Sequence, residues 1–386
     1  MRLAIFSPIT LAPTLGAAKH RIEQAKAMET HGWRTSLFDY RELGLKENYL
    51  QCIHSKDAYN NALKDYLITN AAKYDVVLYE GDSLPYPRDL FYQDTLFVAS
   101  PSLLFYHFQN IQFPLDLKGR LKRILYKYID SSEAKHHKTT WLSLMQADVI
   151  QVQNNYDKAV LISNGFPEDK VITIPCGLDS KQLAQLCSLN QETATKPCIA
   201  FIGTFDFRKG AVDFPHILSR VVEKIPDCTF KFLGTKGMFA DAQHVLNFFP
   251  KRLQSSITII PTFSPHELGA LLKGCQVGMF PSYIESFGIG VLEMMAAGIP
   301  VVCYKSPGPS DFVPEDLLVG IGDLESFAST IIELLNNKVI LKKYSKQVSL
   351  IAEQYNWNKI GAEVSKAYYS LVKRKRQLEA QAVAPA

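Results

Sequence analysis

The chain has 386 residues, of which 47% are hydrophobic and 21% charged, a composition typical of a folded protein with two or three domains. Its formal net charge of +4 is too small to indicate a nucleic-acid-binding protein. The seven cysteines are scattered without a Cys-x-x-Cys pair, so the sequence predicts neither a disulfide framework nor a zinc site.

The first predicted element is a short apolar strand, Arg2–Ser7. It leads into a turn that contains Pro and Gly instead of continuing as a signal-peptide core. No window of the chain approaches the roughly 20 apolar residues that span a bilayer. We therefore expect a cytoplasmic protein.

Strands and helices then alternate through the first half of the chain. The helical spacing of Ile22, Ala25 and Met28 predicts a helix over Ala18–Thr30, which ends at the following His-Gly pair. Apolar runs that stop at Gly, Pro or polar residues predict buried parallel strands. The further strands predicted in this half are Asp75–Tyr79, Ser102–Tyr106, Val149–Gln153 and Val171–Ile174.

A basic segment, Lys118–Lys138, lies between two of these strands and holds seven Lys or Arg residues. Its apolar side chains fall on one side of a helix, which fits a helix packed on its own domain. The alternative is a peripheral contact with a membrane, through attraction to anionic lipid or to a lipid-linked or acidic acceptor. A second basic cluster, Lys373–Arg376, could support that alternative.

The pattern restarts after a polar stretch that ends at Pro197. Helices are predicted over Ile217–Lys224, over Pro265–Lys273 and around Glu293. The strands predicted in this half are Cys198–Ile202, Thr229–Leu233, Ile257–Ile260, Val277–Phe280 and Pro300–Tyr304. Two successive α/β units predict two doubly wound domains, which bind ligands at the carboxyl ends of their strands. We expect the active site in a cleft between them.

The stretch Glu285–Gly298 contains Gly288-x-Gly290, which is the beginning of a dinucleotide-binding fingerprint. The third glycine of that fingerprint is here Glu293. The stretch also lies late in its unit, whereas the fingerprint usually opens the first strand-to-helix turn. A nicotinamide-dependent dehydrogenase is therefore not predicted.

The two glutamates of this stretch are more informative than its glycines. On one helix Glu285 and Glu293 would be about 12 Å and 80° apart, so we expect Glu285 in a loop and a helix that starts near Gly288. Gly288 and Gly290 would leave room for an anionic ligand at the helix start, and the carboxylates would accept hydrogen bonds from sugar or ribose hydroxyls. Solvated surface glutamates are the alternative, but the apolar neighbours of Glu293 argue against it.

These residues resemble the signature of the family 4 retaining glycosyltransferases. The matching stretch is Pro281-Ser-x-x-Glu285-Ser-Phe-Gly288-x-x-x-Leu-Glu293-x-Met-Ala-x-Gly298-x-Pro300-Val-Val. Five further segments resemble other parts of the family pattern. They are Phe201-Ile-Gly203 through Arg208-Lys209-Gly210, Gly234-Thr-Lys-Gly237, Ile174-Pro-Cys-Gly177-Leu-Asp179, Thr14-Leu-Gly16 through Arg21, and Tyr355-Asn-Trp357.

The resemblance implies the GT-B fold, in which two Rossmann-like doubly wound domains face a central cleft and a C-terminal helix crosses back to the first domain. We expect residues 1–180 to form the acceptor-side domain, residues 181–197 a linker, and residues 198–355 the domain that binds a nucleotide sugar. Residues 356–386 would hold the returning helix and a tail that is frayed from Gln377 onward.

The resemblance also implies roles for particular side chains. Lys209, together with Arg208, neutralises the diphosphate of the donor as the glycosidic bond breaks. Glu293 binds the ribose hydroxyls, and Glu285, with Lys209, belongs to the catalytic set because it holds hydroxyls of the transferred sugar. The remaining donor-binding residues predicted in this domain are Gly203, Phe287, Gly288 and Ile289.

Several of the predicted site residues carry an alternative, and for Lys209 and Arg208 it is a solvated pair in a loop. Thr204 stands where the family commonly has an arginine, so Arg208 either shares the diphosphate or points away from it as a solvated loop residue. Gly16 lets the backbone approach the donor, or is an ordinary turn glycine. His107, catalytic by resemblance, follows the predicted strand Ser102–Tyr106 and either contacts the donor sugar or acceptor, or is a core histidine.

The sequence therefore predicts a metal-independent retaining hexosyltransferase of polysaccharide biosynthesis or a related pathway. It would move a sugar from a UDP- or GDP-linked donor to a hydroxyl of a glycan, lipid-linked or small-molecule acceptor, without a cofactor and without a nucleic-acid partner. No Asp-x-Asp pair of the metal-binding kind is present. A non-catalytic sugar-nucleotide-binding or scaffold protein with the same fold is the alternative, and epimerisation or phosphorolysis is a third reading.

Overall fold

The computed structural model describes residues 1–12, 16–46, 53–104, 106–107, 131–189, 196–239 and 241–383. These residues form two compact units. The first contains the described residues up to Tyr106, residues 131–177 and residues 357–383. The second contains His107 and the described residues of 178–356.

The first unit is built on a six-stranded parallel sheet with the strand order β2-β1-β3-β4-β5-β6. Its strands are β1 Arg2–Phe6, β2 Arg34–Phe38, β3 Val76–Tyr79, β4 Leu96–Ala99, β5 Val149–Val152 and β6 Val171–Thr173. The helices are α1 Gly16–Thr30, α2 Ile53–Asn70, α3 Ser131–Gln146 and α4 Asn155–Ser163. Strands β3, β4 and β5 are buried along their whole length, as expected for a sheet covered on both faces.

Two strands of this unit differ from the prediction. None of the described residues of the predicted strand Ser102–Tyr106, namely 102–104 and 106, lies in a strand; the strand of this region is β4, Leu96–Ala99. An apolar run does not by itself distinguish a strand from a buried loop, and here the apolar run after Pro101 follows the strand instead of forming it. Strand β2 was missed because it lies at the sheet edge, where its residues are only partly buried and the apolar pattern is weak.

The second unit contains another six-stranded parallel sheet, with the order β12-β11-β10-β7-β8-β9. Its strands are β7 Cys198–Ile202, β8 Thr229–Leu233, β9 Ile257–Ile260, β10 Val277–Phe280, β11 Val301–Tyr304 and β12 Leu318–Val319. All five strands predicted here are confirmed, and the two-residue edge strand β12 was missed.

Short helices alternate with these strands. They are α5 Ser180–Cys187, α6 Phe214–Lys224, α7 Ala242–Leu246, α8 Lys251–Gln254, α9 Leu268–Leu272, α10 Ile289–Ala296, α11 Leu324–Asn336 and α12 Lys338–Ala352. Helix α5 lies in the stretch for which the sequence predicts a linker, and it packs against α10. Aromatic rings fill the core under the sheet; Phe214, for example, packs edge-on against Phe201 and Phe232.

The last helix, α13 Trp357–Val383, returns to the first unit and packs along α1. Gly361 permits close contact, because a Cβ there would lie 2.8 Å from the Cβ of Ala27. Trp33 Nε1 donates a hydrogen bond of 2.8 Å to Ser365 Oγ. The predicted returning helix is confirmed, but the predicted fraying from Gln377 is wrong, since the helix continues to Val383.

The basic cluster Lys373–Arg376 is engaged within the first unit. Lys375 Nζ lies 2.9 Å from Asp148 Oδ1, Arg374 pairs with Asp169 at 3.2 Å, and Arg376 pairs with Asp75. These acidic residues precede strands β5, β6 and β3. The cluster therefore holds α13 against the sheet edge where these strands begin, and it gives no independent support for a membrane contact.

The other basic segment, Lys118–Lys138, lies mostly outside the described residues; its last residues enter α3. Among the helices that the structure describes, none is both long enough and apolar enough to cross a bilayer.

Candidate functional site

The predicted diphosphate-binding residues lie on the loop that leaves β7. Gly203 begins this loop with φ +153° and donates its N–H to Leu233 O at 2.9 Å. Asp206 then caps a short 3-10 turn, because its Oδ1 accepts from Lys209 N at 3.0 Å. Phe205 is completely buried in the aromatic core. The loop is thus anchored at several points, and Arg208 and Lys209 are presented from a rigid turn.

Lys209 is buried, and its ammonium forms an ion pair with Glu285. The Nζ atom also lies 4.8 Å from the centroid of the Phe280 ring, a cation–π distance. Burial lowers the pKa of Lys209, the Arg208 guanidinium lowers it further, and Asp206 opposes the shift. A buried cation of this kind gains strongly from any further negative charge that reaches it.

The side chain of Arg208, like that of Lys209, points toward the loop that carries Glu285. Its Nη1 donates to Ile284 O at 3.1 Å and lies 3.9 Å from Glu285 Oε2, and its carbonyl oxygen accepts from Tyr283 N at 2.9 Å. The sequence left open whether Arg208 shares the diphosphate or points away from it. In the structure Arg208 points toward the predicted site, and its side chain remains partly exposed.

Gly210 lets the two loops of the site approach each other. It has φ +85°, and a Cβ at this position would lie 2.4 Å from Pro281 O. Only glycine fits both the left-handed backbone and this distance. The β7 loop and the β10 loop that carries Glu285 consequently pack directly against one another.

Glu285 lies outside the helix, as the sequence predicts. Its carbonyl oxygen accepts from Gly308 N at 2.9 Å, while Gly288, with φ +93°, turns the chain into α10. Phe287 is buried and stacks on Phe312 with ring centroids 4.9 Å apart. The eight-residue helix α10 begins at Ile289, so the free N–H groups of its first turn lie close in sequence to Glu285.

Gly290 has a packing role that the sequence analysis did not predict, and its predicted role toward a ligand stays a prediction. It was expected to make room for a ligand at the helix start. A Cβ there would instead lie 2.5 Å from Ile202 O, at the end of β7. Gly290 therefore allows α10 to pack closely on the sheet.

Glu293 is buried in α10 and accepts a hydrogen bond of 2.9 Å from Gln182 Nε2. Gln182 belongs to α5, whose first turn is capped by Asp179 accepting from Lys181 N at 2.9 Å. The expectation that Glu293 is not a solvated surface charge is confirmed by its burial. Sequence reasoning did not single out Gln182, because only the tertiary fold brings α5 to α10.

A second group that sequence reasoning missed lies behind the Glu285 loop. Asp213 Oδ2 accepts hydrogen bonds of 2.7 Å from both Tyr283 OH and Tyr304 OH. Asp213 is buried, and burial raises the pKa of its carboxyl although the two hydroxyl donors oppose the shift. Asp213 lies immediately before α6, Tyr283 is in the Glu285 loop and Tyr304 is in β11.

The two remaining predicted residues are placed differently. Gly16 is the first residue of α1, in the first unit. His107 is buried and belongs to the second unit, but it does not follow a strand, because β4 ends at Ala99. The roles predicted for both residues stay predictions.

Strand β4 is followed directly by Ser100, Pro101 and Ser102. Ser102 donates through its N–H and its Oγ to Glu80, at 2.6 and 2.7 Å, and Glu80 also pairs with the buried Arg21 at 2.7 Å. This polar group lies at the carboxyl edge of the first sheet, where parallel α/β sheets usually bind ligands. It was missed because the strand was predicted too late in the chain.

Taken together, the second unit brings two cations and one carboxylate to one edge of its sheet, beside the start of a helix. Two cations and free backbone N–H groups suit a diphosphate, and the carboxylate suits hydroxyl groups. The buried carboxylate of Glu293 lies one turn along α10.

Comparison with known proteins agrees with this assignment. Residues 196–337 match the family model described as glycosyl transferases group 1. A sulfoquinovosyl transferase of Arabidopsis thaliana is 25% identical over 181 residues, which are 45% of this chain and 34% of that protein. The chain spans about a third to a half of the length of this and two other curated relatives that it matches.

Solved structures share the fold over nearly the whole chain. A sucrose-phosphate synthase from Thermosynechococcus elongatus superposes with a TM-score of 0.72 and 18% identity, covering 97% of this chain and 99% of that one. HepE from Anabaena, in complex with UDP-glucose, superposes with a TM-score of 0.64 and 15% identity, covering 96% and 100%. With the two parallel sheets, these likenesses confirm the GT-B fold.

Proposed function

Because the second unit belongs to the group 1 glycosyl transferases, we propose that this protein transfers a hexose from a nucleoside diphosphate sugar to a hydroxyl group of an acceptor, with retention of the anomeric configuration. The observation that carries the proposal is the ion pair between the buried Lys209 and the partly buried Glu285 at the carboxyl edge of the second sheet. Each partner of this pair matches one part of such a donor.

When the donor binds, the site residues would exchange their present partners for groups of the donor. Its diphosphate takes over Lys209 and Arg208, and hydroxyls of its sugar hydrogen-bond to Glu285 once that carboxylate is released from the lysine. The lysine stays compensated throughout, since an anion replaces a carboxylate. Glu293 accepts hydrogen bonds from the ribose, in addition to the one from Gln182.

A UDP-linked donor is favoured over a GDP-linked one. Structures that share the fold of this chain were determined with UDP or UDP-glucose bound. Transfer with retention follows a front-face path. The acceptor oxygen bonds to the anomeric carbon on the face from which the diphosphate leaves, the C–O bond to the diphosphate breaks with both electrons, and the acceptor proton passes to a phosphate oxygen.

The two cations supply the electrostatic stabilisation of that step. Negative charge grows on the diphosphate as the C–O bond breaks, and a charge held in a buried, pre-oriented site stabilises it more than solvent does. We propose that Lys209 and Arg208, with the first N–H groups of α10, do this without a metal ion. The acceptor is a glycan, lipid-linked or small hydroxyl compound.

The test is turnover of UDP-, GDP- and ADP-glucose by the purified chain, with and without EDTA. Release of the nucleoside diphosphate is measured with water or a panel of sugar alcohols and glycosides as acceptors, and the anomeric configuration of the product is read by NMR. We expect release from one class of donor, an axial product from an axial donor, and no effect of EDTA.

Glu285→Gln separates sugar binding from diphosphate binding. Turnover should fall about a hundredfold, whereas the affinity for the bare nucleoside diphosphate should hold or increase, because Lys209 loses its internal partner. The matched control is Glu315→Gln, which breaks the exposed ion pair with Lys305 in the same unit. A wild-type protein that binds a donor but releases no product with any acceptor would favour the non-catalytic alternative instead.

A further inference from the structure

The group formed by Asp213, Tyr283 and Tyr304 is buried beside the predicted site and has no part in the chemistry proposed above. Tyr283 stands two residues before Glu285 in the loop that leaves β10. Tyr304 is the last residue of β11 and is completely buried. Asp213 lies immediately before α6, at the end of the segment that carries Lys209.

We propose that Asp213 is a positioning residue for the transfer reaction. One of its carboxylate oxygens accepts hydrogen bonds from Tyr283 and Tyr304, and this fixes the loop that carries Glu285 to the segment between β7 and α6 that carries Lys209. This inference rests on the proposed function for its consequence in catalysis, but its structural part stands independently. A hydroxyl at Tyr283 then matters for the placement of Glu285 and not for any contact with a ligand.

The other contacts of this loop show what the hydroxyl adds. The backbone of the loop is tied by Tyr283 N donating to Arg208 O at 2.9 Å, and by Ser282 Oγ donating to Ile284 O at 3.0 Å. Those bonds set the path of the backbone between Ser282 and Ile284. The bond from Tyr283 OH to Asp213 reaches from the loop to the start of α6.

The chemistry of Asp213 supports a fixed anchor. Two hydroxyl donors converge on one carboxylate oxygen, and hydrogen bonds to a charged acceptor are stronger than those between neutral groups. The rings of Tyr283 and Tyr304 also meet edge to face, with centroids 5.4 Å apart. Packing and hydrogen bonding thus select the same arrangement of the two side chains.

Positioning of this kind has a measurable consequence. Glu285 contacts the sugar of the donor in the proposed reaction, whereas Lys209 and Glu293 bind its nucleoside diphosphate. Loosening the Glu285 loop should therefore lower kcat without weakening the binding of a bare nucleoside diphosphate. A displacement of about 1 Å in a positioned group can reduce a rate about a hundredfold.

The experiment compares Tyr283→Phe with Tyr344→Phe. Tyr344 provides a matched control, since its hydroxyl donates to Asp316 at 2.6 Å in the same unit, between α12 and a 3-10 turn after β11. Both variants lose one tyrosine–aspartate hydrogen bond. We expect kcat to fall about tenfold or more in Tyr283→Phe and to stay at the wild-type value in Tyr344→Phe, with unchanged affinity for UDP or GDP in both.

A second readout does not depend on turnover. Hydrogen exchange of the free protein should be about tenfold faster at residues 282–288 in Tyr283→Phe than in the wild type, and Tyr344→Phe should leave this segment unchanged. Asp213→Asn, which keeps one acceptor oxygen, should show smaller changes in both readouts than Tyr283→Phe.

The two readouts distinguish the possible failures. If the wild type transfers no sugar but exchange rises in Tyr283→Phe, the proposed function fails and the structural anchor stands. If exchange at residues 282–288 and kcat are both unchanged in Tyr283→Phe while Glu285→Gln abolishes turnover, the positioning role is overturned.

Discussion

The carboxyl edges of the two sheets hold glutamates in different ways. In the first unit Glu80 accepts from the N–H and hydroxyl of Ser102 and pairs with the buried Arg21. In the second unit Glu285 meets the side chains of Lys209 and Arg208. Glu80 is held by one backbone N–H, one hydroxyl and one buried guanidinium, whereas both of these side-chain partners of Glu285 are cations that can bind an incoming anion.

We expect this difference to distinguish a carboxylate of a ligand site from one that only supports its loop. Backbone N–H donors cannot leave their acceptor without refolding the loop, but a lysine ammonium can rotate away on a flexible stem. An exchangeable ion pair in a rigid loop is therefore the better mark of a binding site.

Removal of the exchangeable cation should have the largest effect. Lys209→Ala should reduce kcat/KM for the donor by about two to three orders of magnitude, because the charge that develops on the diphosphate loses its closest partner. Initial rates of nucleoside diphosphate release measure this. The exposed Lys305 provides the control, and an equal loss in Lys305→Ala would show that the effect is not local.

The close approach of the two loops can be tested at Gly210. An alanine there meets both a left-handed backbone and Pro281 O at 2.4 Å, so Gly210→Ala should destabilise the protein by about 2 kcal/mol more than a substitution that meets only the backbone penalty. Gly274→Ala is that control, since Gly274 has φ +81° with no atom within 4 Å of the added Cβ. Equal urea midpoints for the two variants would contradict the packing described here.

The stability of the first unit should depend on pH through His20. Burial, with Arg21 beside it, lowers the pKa of His20 from 6.5 to about 3. Its neutral form is favoured in the folded state, so this contribution to stability is complete above the unfolded pKa and declines as the pH falls from 6.5 toward 3. The expected slope is about 1.4 kcal/mol per pH unit within that window.

His20→Gln should flatten this dependence, as measured by urea unfolding at pH 6 and pH 5. The exposed His266 is the control, and His266→Gln should retain the wild-type slope. A wild-type slope in His20→Gln would show that another group accounts for the loss of stability in acid.

The smallest effects are expected where α13 is tied to the first sheet. Lys375 and Asp148 are both largely buried, whereas Arg374 and Asp169 are mostly exposed. Lys375→Ala should lower stability by about 1 kcal/mol or more, and Arg374→Ala by less than about 0.5 kcal/mol. Unfolding measured at low and high salt separates the two ion pairs, since salt strongly screens only the exposed pair. Equal losses of stability in the two variants would contradict the contrast in burial.

The second unit was predictable from sequence to a large extent. Its strands are apolar runs such as Val277–Phe280, bounded by polar or Gly and Pro residues. Glu285 and Glu293 stand in a long signature, and Lys209 stands in a second matching segment that ends at Gly210. The first unit was less predictable because β2 is a half-exposed edge strand and an apolar run follows β4.

Partners that meet only through the tertiary fold could not be predicted. Gln182 reaches Glu293 across 111 positions of sequence, and Asp213 reaches Tyr304 across 91. No local pattern distinguishes these residues from solvated polar ones. The packing of Gly290 on Ile202, at the end of β7, could not be predicted either, because it also depends on the tertiary fold.

We propose that the second unit binds a nucleoside diphosphate sugar through Lys209 and Glu293. This binding is tested by the shift of Tm by UDP-, GDP- and ADP-sugars, with and without EDTA, for the wild type, Lys209→Ala, Glu293→Ala and the control Lys305→Ala. We expect one class of donor to raise Tm in the wild type and in Lys305→Ala, independently of EDTA, and not in the other two variants. Stabilisation that persists in both Lys209→Ala and Glu293→Ala, or that no donor produces in the wild type, would contradict it.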